Sequence, residues 1–78
     1  MENNIYTVVV MNSGREYIFD QDPEEVITRV TNPKTGDPYN GFVHLLGISL
    51  NPSHISSIEE FDKRKVNLPI DTKFYRAI

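Results

Sequence analysis

Apolar and polar side chains alternate in short blocks along this chain, and the blocks predict strands separated by tight turns. Residues 5–11, Ile-Tyr-Thr-Val-Val-Val-Met, are β-branched or aromatic at nearly every position, which is typical of a strand that is central in its sheet and covered on both faces. Residues 12–14, Asn-Ser-Gly, supply turn chemistry, and residues 15–20 alternate with two aromatic side chains on one face. The pattern predicts a β-hairpin over residues 5–20.

The next block begins with the residues that start a helix. Asp22 stands where an N-cap acid is expected, Pro23 follows at the first helical position, and Glu25 lies at the third. Carboxylates at these places accept hydrogen bonds from backbone N–H groups that have no partner within the helix. We therefore expect the side chains of Asp22 and Glu25 to cap this end.

The residues that follow are compatible with either a helix or a strand. They are rich in β-branched side chains, which favours a strand, but Val26, Ile27 and Val30 also form a helical stripe that could dock on the hairpin. Burial against a sheet commonly overrides weak helix propensity. We predict a short helix over residues 23–31, and Pro33 ends the segment under either interpretation.

The second half of the chain reads as three further strands. Residues 41–46 are apolar and extended in character, Gly47 permits a turn or a bulge, and residues 48–50 resume the strand pattern. The Asn-Pro pair in residues 51–54 predicts a turn, and residues 55–61 return as a strand.

This order of elements predicts the fold class. Residues 1–61 are expected to form a single α+β domain, a small antiparallel β-sheet with one short helix packed on it. Residues 62–78 are basic and partly apolar, and Pro69 excludes them from the interior of a sheet, so we expect a C-terminal arm or an edge strand. The alternative is a small SH3-like or Sm-like β-barrel in which residues 23–31 are a strand.

The amino-acid composition narrows the cellular compartment in which the protein is expected. The 78 residues contain no cysteine, so no disulfide or thiolate metal site can form, and a reducing compartment such as the cytoplasm is expected. The N-terminal residues lack the pattern of a secretion signal, and the longest apolar run, residues 8–11, is too short to cross a bilayer. We predict a cytoplasmic protein without a membrane partner.

The strand, the glycine turn and the segments "DPEEVITRV", "GFVHLL" and "LNPSHISSIEEF" together resemble small proteins of uncharacterised function encoded in bacterial and phage genomes. Those proteins often end with an Asn-containing turn followed by Ile-x-x-Ile-Glu. The resemblance covers residues 5–61 and is structural, so it implies no activity for any residue.

Catalytic and metal chemistry find little support. The glycines lie at 14, 36, 41 and 47, in no phosphate-binding arrangement, and the two histidines lack metal-ligand spacing. His44 lies among apolar residues, where a half-buried histidine bonded to a backbone carbonyl is expected. The acids at 20, 22 and 24 begin like a calcium loop, but the required later glycine and glutamate are missing. We predict no enzyme, no cofactor and no metal.

The remaining class is a protein-interaction module, which can take the form of a homodimer through the edge strand or the arm. The motivating features are an exposed loop over residues 32–41 and an apolar arm attached to a minimal core. A loop tyrosine is a frequent interface anchor, although Tyr39 could equally fold onto its own sheet. The candidate partner-binding residues are Tyr39, Leu68, Ile70, Phe74 and Tyr75.

Charge supports a second hypothesis, nucleic-acid binding. Residues 1–61 carry three basic and nine acidic side chains, a formal charge of −6, whereas residues 62–78 carry five basic and two acidic, +3. Cations near aromatic residues can meet phosphates while the rings stack on bases, but the acidic body opposes such binding. The candidate residues are Lys63, Arg64, Lys65, Lys73 and Arg76.

Overall fold

The computed structural model describes residues 5–62, residue 64 and residues 73–76, and within the last range it describes the Tyr75 side chain. These residues form six strands, one α-helix and one turn of 3₁₀ helix. In chain order the elements are β1 (Ile5–Met11), β2 (Glu16–Asp20), α1 (Pro23–Val30), β3 (Val43–Leu45), β4 (Ile48–Leu50), the 3₁₀ turn (Pro52–His54), β5 (Ile55–Asp62) and β6 (Lys73–Arg76).

The strands form two sheets. The larger sheet has the order β5-β1-β2-β6, in which β1 is antiparallel to both of its neighbours and β6 runs parallel to β2. The smaller sheet is the antiparallel pair β3-β4. The predicted α+β class is confirmed, with β5, β1 and β2 as the antiparallel sheet and one short helix, and β6 adds a parallel strand to that sheet. The barrel alternative is wrong, because Pro23–Val30 is helical and β5 and β6 lie at the edges of an open sheet.

The predicted hairpin over residues 5–20 is confirmed, and β1 is central in the sheet as expected. Val9 pairs with Tyr17 across the hairpin. The turn closes through a hydrogen bond from the Met11 N–H to the Arg15 carbonyl at 2.8 Å. Gly14 adopts φ +91°, a conformation that glycine reaches without steric cost.

Helix α1 begins at the predicted residue and ends at Val30, one residue earlier than expected. Asp22 occupies the N-cap position, but the prediction that its side chain caps the helix is wrong, because that side chain makes no capping hydrogen bond. The Asp22 carbonyl instead accepts the Glu25 N–H at 3.1 Å. Val26 and Val30 are buried as predicted, whereas Ile27 is exposed.

The core lies between one face of the larger sheet, helix α1 and the β3-β4 hairpin. Each of these parts contributes buried apolar side chains to a single cluster, and the fully buried Phe19 is the largest of them. The buried Thr7 hydroxyl donates to the Gln21 carbonyl at 2.6 Å, so this polar group is satisfied. The cluster consists of Val9, Phe19, Val26, Val30, Leu45 and Leu50.

The β3-β4 hairpin turns through two residues with positive φ. Leu45 pairs with Ile48, and between them Leu46 has φ 47° and Gly47 has φ 93°. Positive φ at both central residues is what a type I′ hairpin turn requires. Gly47 therefore makes a turn, one of the two structures predicted for it. Leu46 is not glycine, and its partly buried side chain packs against the core cluster.

Candidate interaction surfaces

The segment between α1 and β3, residues 32–42, is held in shape by its own hydrogen bonds; we call it the 32–42 loop. The Asn32 N–H donates to the Asp37 carbonyl at 2.8 Å, and the Asn32 carbonyl accepts the Gly36 N–H at 2.8 Å. Asn32 Oδ1 accepts the Lys34 N–H at 2.9 Å, which is an Asx turn. The prolines and glycines of this segment therefore form a defined turn.

Tyr39 lies where the 32–42 loop returns to the end of α1. Its N–H donates to the Val30 carbonyl at 3.0 Å, which fixes its backbone against the helix. The residue is 38 % exposed, so part of Tyr39 faces solvent although its backbone is held at the helix. The sequence left open whether Tyr39 faces solvent or its own sheet, and in the structure it is among the exposed apolar residues. The partner-binding role of Tyr39 stays a prediction.

Asn51 connects the 32–42 loop to the turn before β5. Its Oδ1 accepts the Gly41 N–H at 3.2 Å, the Ser53 N–H at 3.0 Å and the Ser53 hydroxyl at 2.7 Å. Its Nδ2 donates to Asn40 Oδ1 at 3.3 Å. One side chain thus caps the 3₁₀ turn and fastens the end of the loop to it.

Phe42 follows this fastened segment and is 85 % exposed. Phe42 precedes β3, and its exposure continues the alternation of that strand, in which Leu45 is buried, His44 exposed and Val43 partly buried. His44 is exposed, with Nδ1 3.4 Å from Ser49 Oγ, so the prediction of a half-buried histidine bonded to a backbone carbonyl is wrong. Phe42 is not among the residues predicted from sequence to lie on an interaction surface, although the same alternation indicates its exposure.

Tyr75 packs against its own chain. It is half-buried in β6, the edge strand that pairs with β2, and its ring centroid lies 5.4 Å from that of Phe19 in a stacked arrangement. The Tyr17 ring lies 6.1 Å away and is tilted. Tyr75 therefore extends the aromatic part of the core, and its predicted contact with a partner stays a prediction.

The remaining candidate residues lie in or beside the C-terminal segment. Arg64 donates from Nε and Nη2 to the Asp62 carboxylate at 3.1 and 2.8 Å, and this hydrogen bonding raises the pKa of the guanidinium. The cation is thus engaged by an acid of its own chain, and nucleic-acid binding stays a prediction. The β6 backbone includes Lys73, Phe74 and Arg76. The candidates outside the described residues are Lys63, Lys65, Leu68 and Ile70.

The Tyr75 hydroxyl gives the protein a specific response to alkaline pH. Burial raises its pKa above the usual 10.0, and the neighbouring Tyr17 raises it further. Its contribution to stability is complete below pH 10 and is lost as the pH rises through the folded-state pKa, because the unfolded chain releases that proton first. We expect the free energy of unfolding to fall less steeply above pH 10 in Tyr75→Phe than in the wild type. The free energy of unfolding is measured by urea denaturation at several pH values. An equally steep fall with pH in the wild type and in Tyr75→Phe would contradict this prediction.

Comparison with known proteins gives no assignment: no protein-family model, curated protein or solved structure matches this chain. The resemblance to small bacterial and phage-encoded proteins stays a prediction. In the described part of the chain, no three His, Asp or Glu side chains come together as metal ligands would. No helix there is long and apolar enough to cross a membrane.

Proposed function

We propose that this protein is a non-catalytic module that binds another protein, and that Phe42 is the main anchor of the contact. The observation that carries the proposal is the 85 % exposure of Phe42 at the end of the 32–42 loop, directly after residues that are fastened by hydrogen bonds. The 32–42 loop has one acid, Asp37, and no histidine, so it offers little for acid–base chemistry. A cytoplasmic setting fits a chain without cysteine.

The energetic argument rests on burial of the Phe42 ring. Covering a phenylalanine side chain that is otherwise exposed contributes about 1.5–3 kcal/mol, so its transfer into a pocket of a partner would favour association. The backbone before Phe42 is already held through Gly41 and Asn51, and little ordering cost remains at binding. Aromatic anchors on rigid supports are the residues that most often dominate binding energy.

Tyr39 would contribute at the border of the same contact. It belongs to the 32–42 loop, three positions before Phe42, and part of its side chain faces solvent. A tyrosine presents a large area and loses little rotamer entropy when it is covered. We therefore assign the central role to Phe42 and a smaller role to Tyr39.

The test replaces Phe42 with the photocrosslinking amino acid p-benzoylphenylalanine in the intact chain. Irradiation in cells that express the variant should give a discrete adduct, whereas the same amino acid at exposed Thr28 on α1 should not. An adduct of twice the mass of the chain would identify a second copy as the partner. Any other adduct is identified by mass spectrometry, and that protein is purified.

The partner is then titrated with the wild type, Phe42→Ala and the control Ile27→Ala, which shortens an exposed apolar side chain on α1. Loss of a central aromatic anchor should weaken binding at least about tenfold. The Ile27 variant should stay within about threefold of the wild type, because substitutions outside the central anchors are nearly neutral. Equal affinities for Phe42→Ala and the wild type, or no adduct specific to position 42, would contradict the proposal.

A further inference from the structure

Strand β5 lies at the edge of the larger sheet. It runs over Ile55–Asp62 and pairs on one side with β1, and no other strand of the described chain pairs with it. In a sheet, alternate residues direct their N–H and C=O groups to opposite sides, so half of the backbone groups of β5 face away from β1. Such an edge is a template onto which another extended chain can add.

The geometry of this edge is regular over most of its length. The pairing with β1 shifts register between Ser57 and Ile55, whereas residues 57–62 pair without interruption. The strand contains neither proline nor lysine, two residue types that commonly block an exposed edge. Phe61 is 40 % exposed on this segment and offers an apolar contact to a neighbouring strand.

The edge is acidic on both faces. Successive residues of a strand point to opposite sides of the sheet, so Glu59 projects from one face and Glu60 from the other. Both are exposed, and their partners on β1 are Val8 and Thr7, which carry no charge. Ser57 donates to Glu59 at 3.0 Å, but neither glutamate forms an ion pair with a described residue. A strand added to β5 would therefore meet negative charge on either face.

This charge argues against a second copy of the chain as the occupant. In a symmetric dimer, two β5 strands would pair in antiparallel fashion about a two-fold axis perpendicular to the sheet. The regular segment, residues 57–62, forms the most cross-strand pairs when this axis passes beside residue 59 or residue 60. The first register places Glu59 opposite its own copy, and the second does the same with Glu60. Like charges directly opposite each other destabilise a strand pair, whereas a cation in the same place stabilises it.

We propose that the outer edge of β5 binds an extended segment of a partner protein that carries Lys or Arg, which adds to the sheet as a further strand. Backbone hydrogen bonds to residues 57–61 hold the segment, and its cations lie opposite Glu59 and Glu60. This surface uses neither Tyr39 nor Phe42. The inference shares with the proposed function the premise that the partner is a protein, and it can fail separately.

The test is a selection of random peptides displayed on yeast against the intact protein, with Glu59→Lys/Glu60→Lys as the charge-reversed target. The wild type should enrich peptides with Lys or Arg at two consecutive positions, one for each face of the sheet, and the reversed target should enrich Asp or Glu there. A synthetic peptide with the most enriched sequence should shift the backbone amide signals of residues 57–61 in NMR spectra. It should bind the neutral variant Glu59→Gln/Glu60→Gln about tenfold more weakly, because two favourable cross-strand pairs are lost.

Backbone methylation of the peptide tests the binding mode. N-methyl groups on one alternating set of residues should abolish binding, and on the other set they should be tolerated, because only one side of an added strand faces β5. Peptides enriched without cations, equal sensitivity to both methylation sets, or no enrichment at all would each overturn the proposal. Amide shifts confined to residues 39–42 would also overturn it, while supporting the Phe42 surface. Thermal denaturation confirms beforehand that both double variants are folded.

Discussion

Replacing Phe19 with alanine will lower the free energy of unfolding by about 3–5 kcal/mol. Phe19 is fully buried in β2, lies opposite Thr7 of β1, and stacks with Tyr75 of β6 at 5.4 Å. Its ring is therefore surrounded by neighbours on both adjacent strands as well as by the core cluster. Paired strands cannot move inward without losing backbone hydrogen bonds, so the cavity left by the ring will persist.

This loss is large for so small a chain. A domain of 78 residues is expected to have a total stability of about 4–12 kcal/mol. Urea denaturation followed by circular dichroism should show the Phe19 variant with a much lower midpoint, or partly unfolded without urea. Phe61→Ala is the matched control, because it makes the same change at a 40 % exposed position and should cost less than about 1 kcal/mol. Equal midpoints for the two variants would contradict this account of the core.

Replacing Asn51 with alanine will cost about 2 kcal/mol, because several hydrogen bonds disappear with one side chain. The Ser53 and Gly41 N–H groups lose their acceptor, and Asn40 Oδ1 loses the Asn51 amide as a donor but keeps the Ser53 hydroxyl at 3.2 Å. These groups lie near solvent and will regain part of the energy from water, which keeps the cost below that of Phe19. The 32–42 loop is expected to separate from the turn before β5.

The substitution Asn51→Asp separates the role of the acceptor Oδ1 from that of the donor Nδ2. A carboxylate keeps an oxygen for the Gly41 and Ser53 N–H groups but cannot donate to Asn40 as the amide does. We expect its cost to be below about 1 kcal/mol. Hydrogen exchange at the Gly41 amide should accelerate strongly in the alanine variant and little in the aspartate variant. The same rate in both would show that the Asn51 acceptor does not hold the loop.

The parts of the fold that can be predicted from the sequence are those determined by residues close to one another along the chain. The hairpin over residues 5–20 was predictable because Gly14 stands between two blocks of strand-forming residues. The start of α1 was predictable from Asp22 and Pro23, even though the Asp22 side chain does not cap the helix. The backbone carbonyl of Asp22 begins the helix without help from its carboxylate.

The parts that sequence did not specify depend on contacts between distant residues. The parallel pairing of β6 with β2 brings Phe74 beside Ile18, and nothing local to Lys73–Arg76 indicates that partner. The exposure of Phe42 has a similar cause. An apolar residue at the start of a strand can face either side, and the choice is made by Leu45, which must enter the core. Candidate surfaces were therefore less predictable than secondary structure.

The Leu46–Gly47 turn combines two demands that no single natural side chain meets at position 46. The left-handed backbone there favours glycine or asparagine and costs leucine about 1–2 kcal/mol. The contact with the core favours leucine and is worth up to about 1.5–3 kcal/mol, less because the side chain is only partly buried. The two effects nearly cancel. Leucine and asparagine at position 46 should therefore give nearly the same folding stability, and evolution can exchange one for the other there.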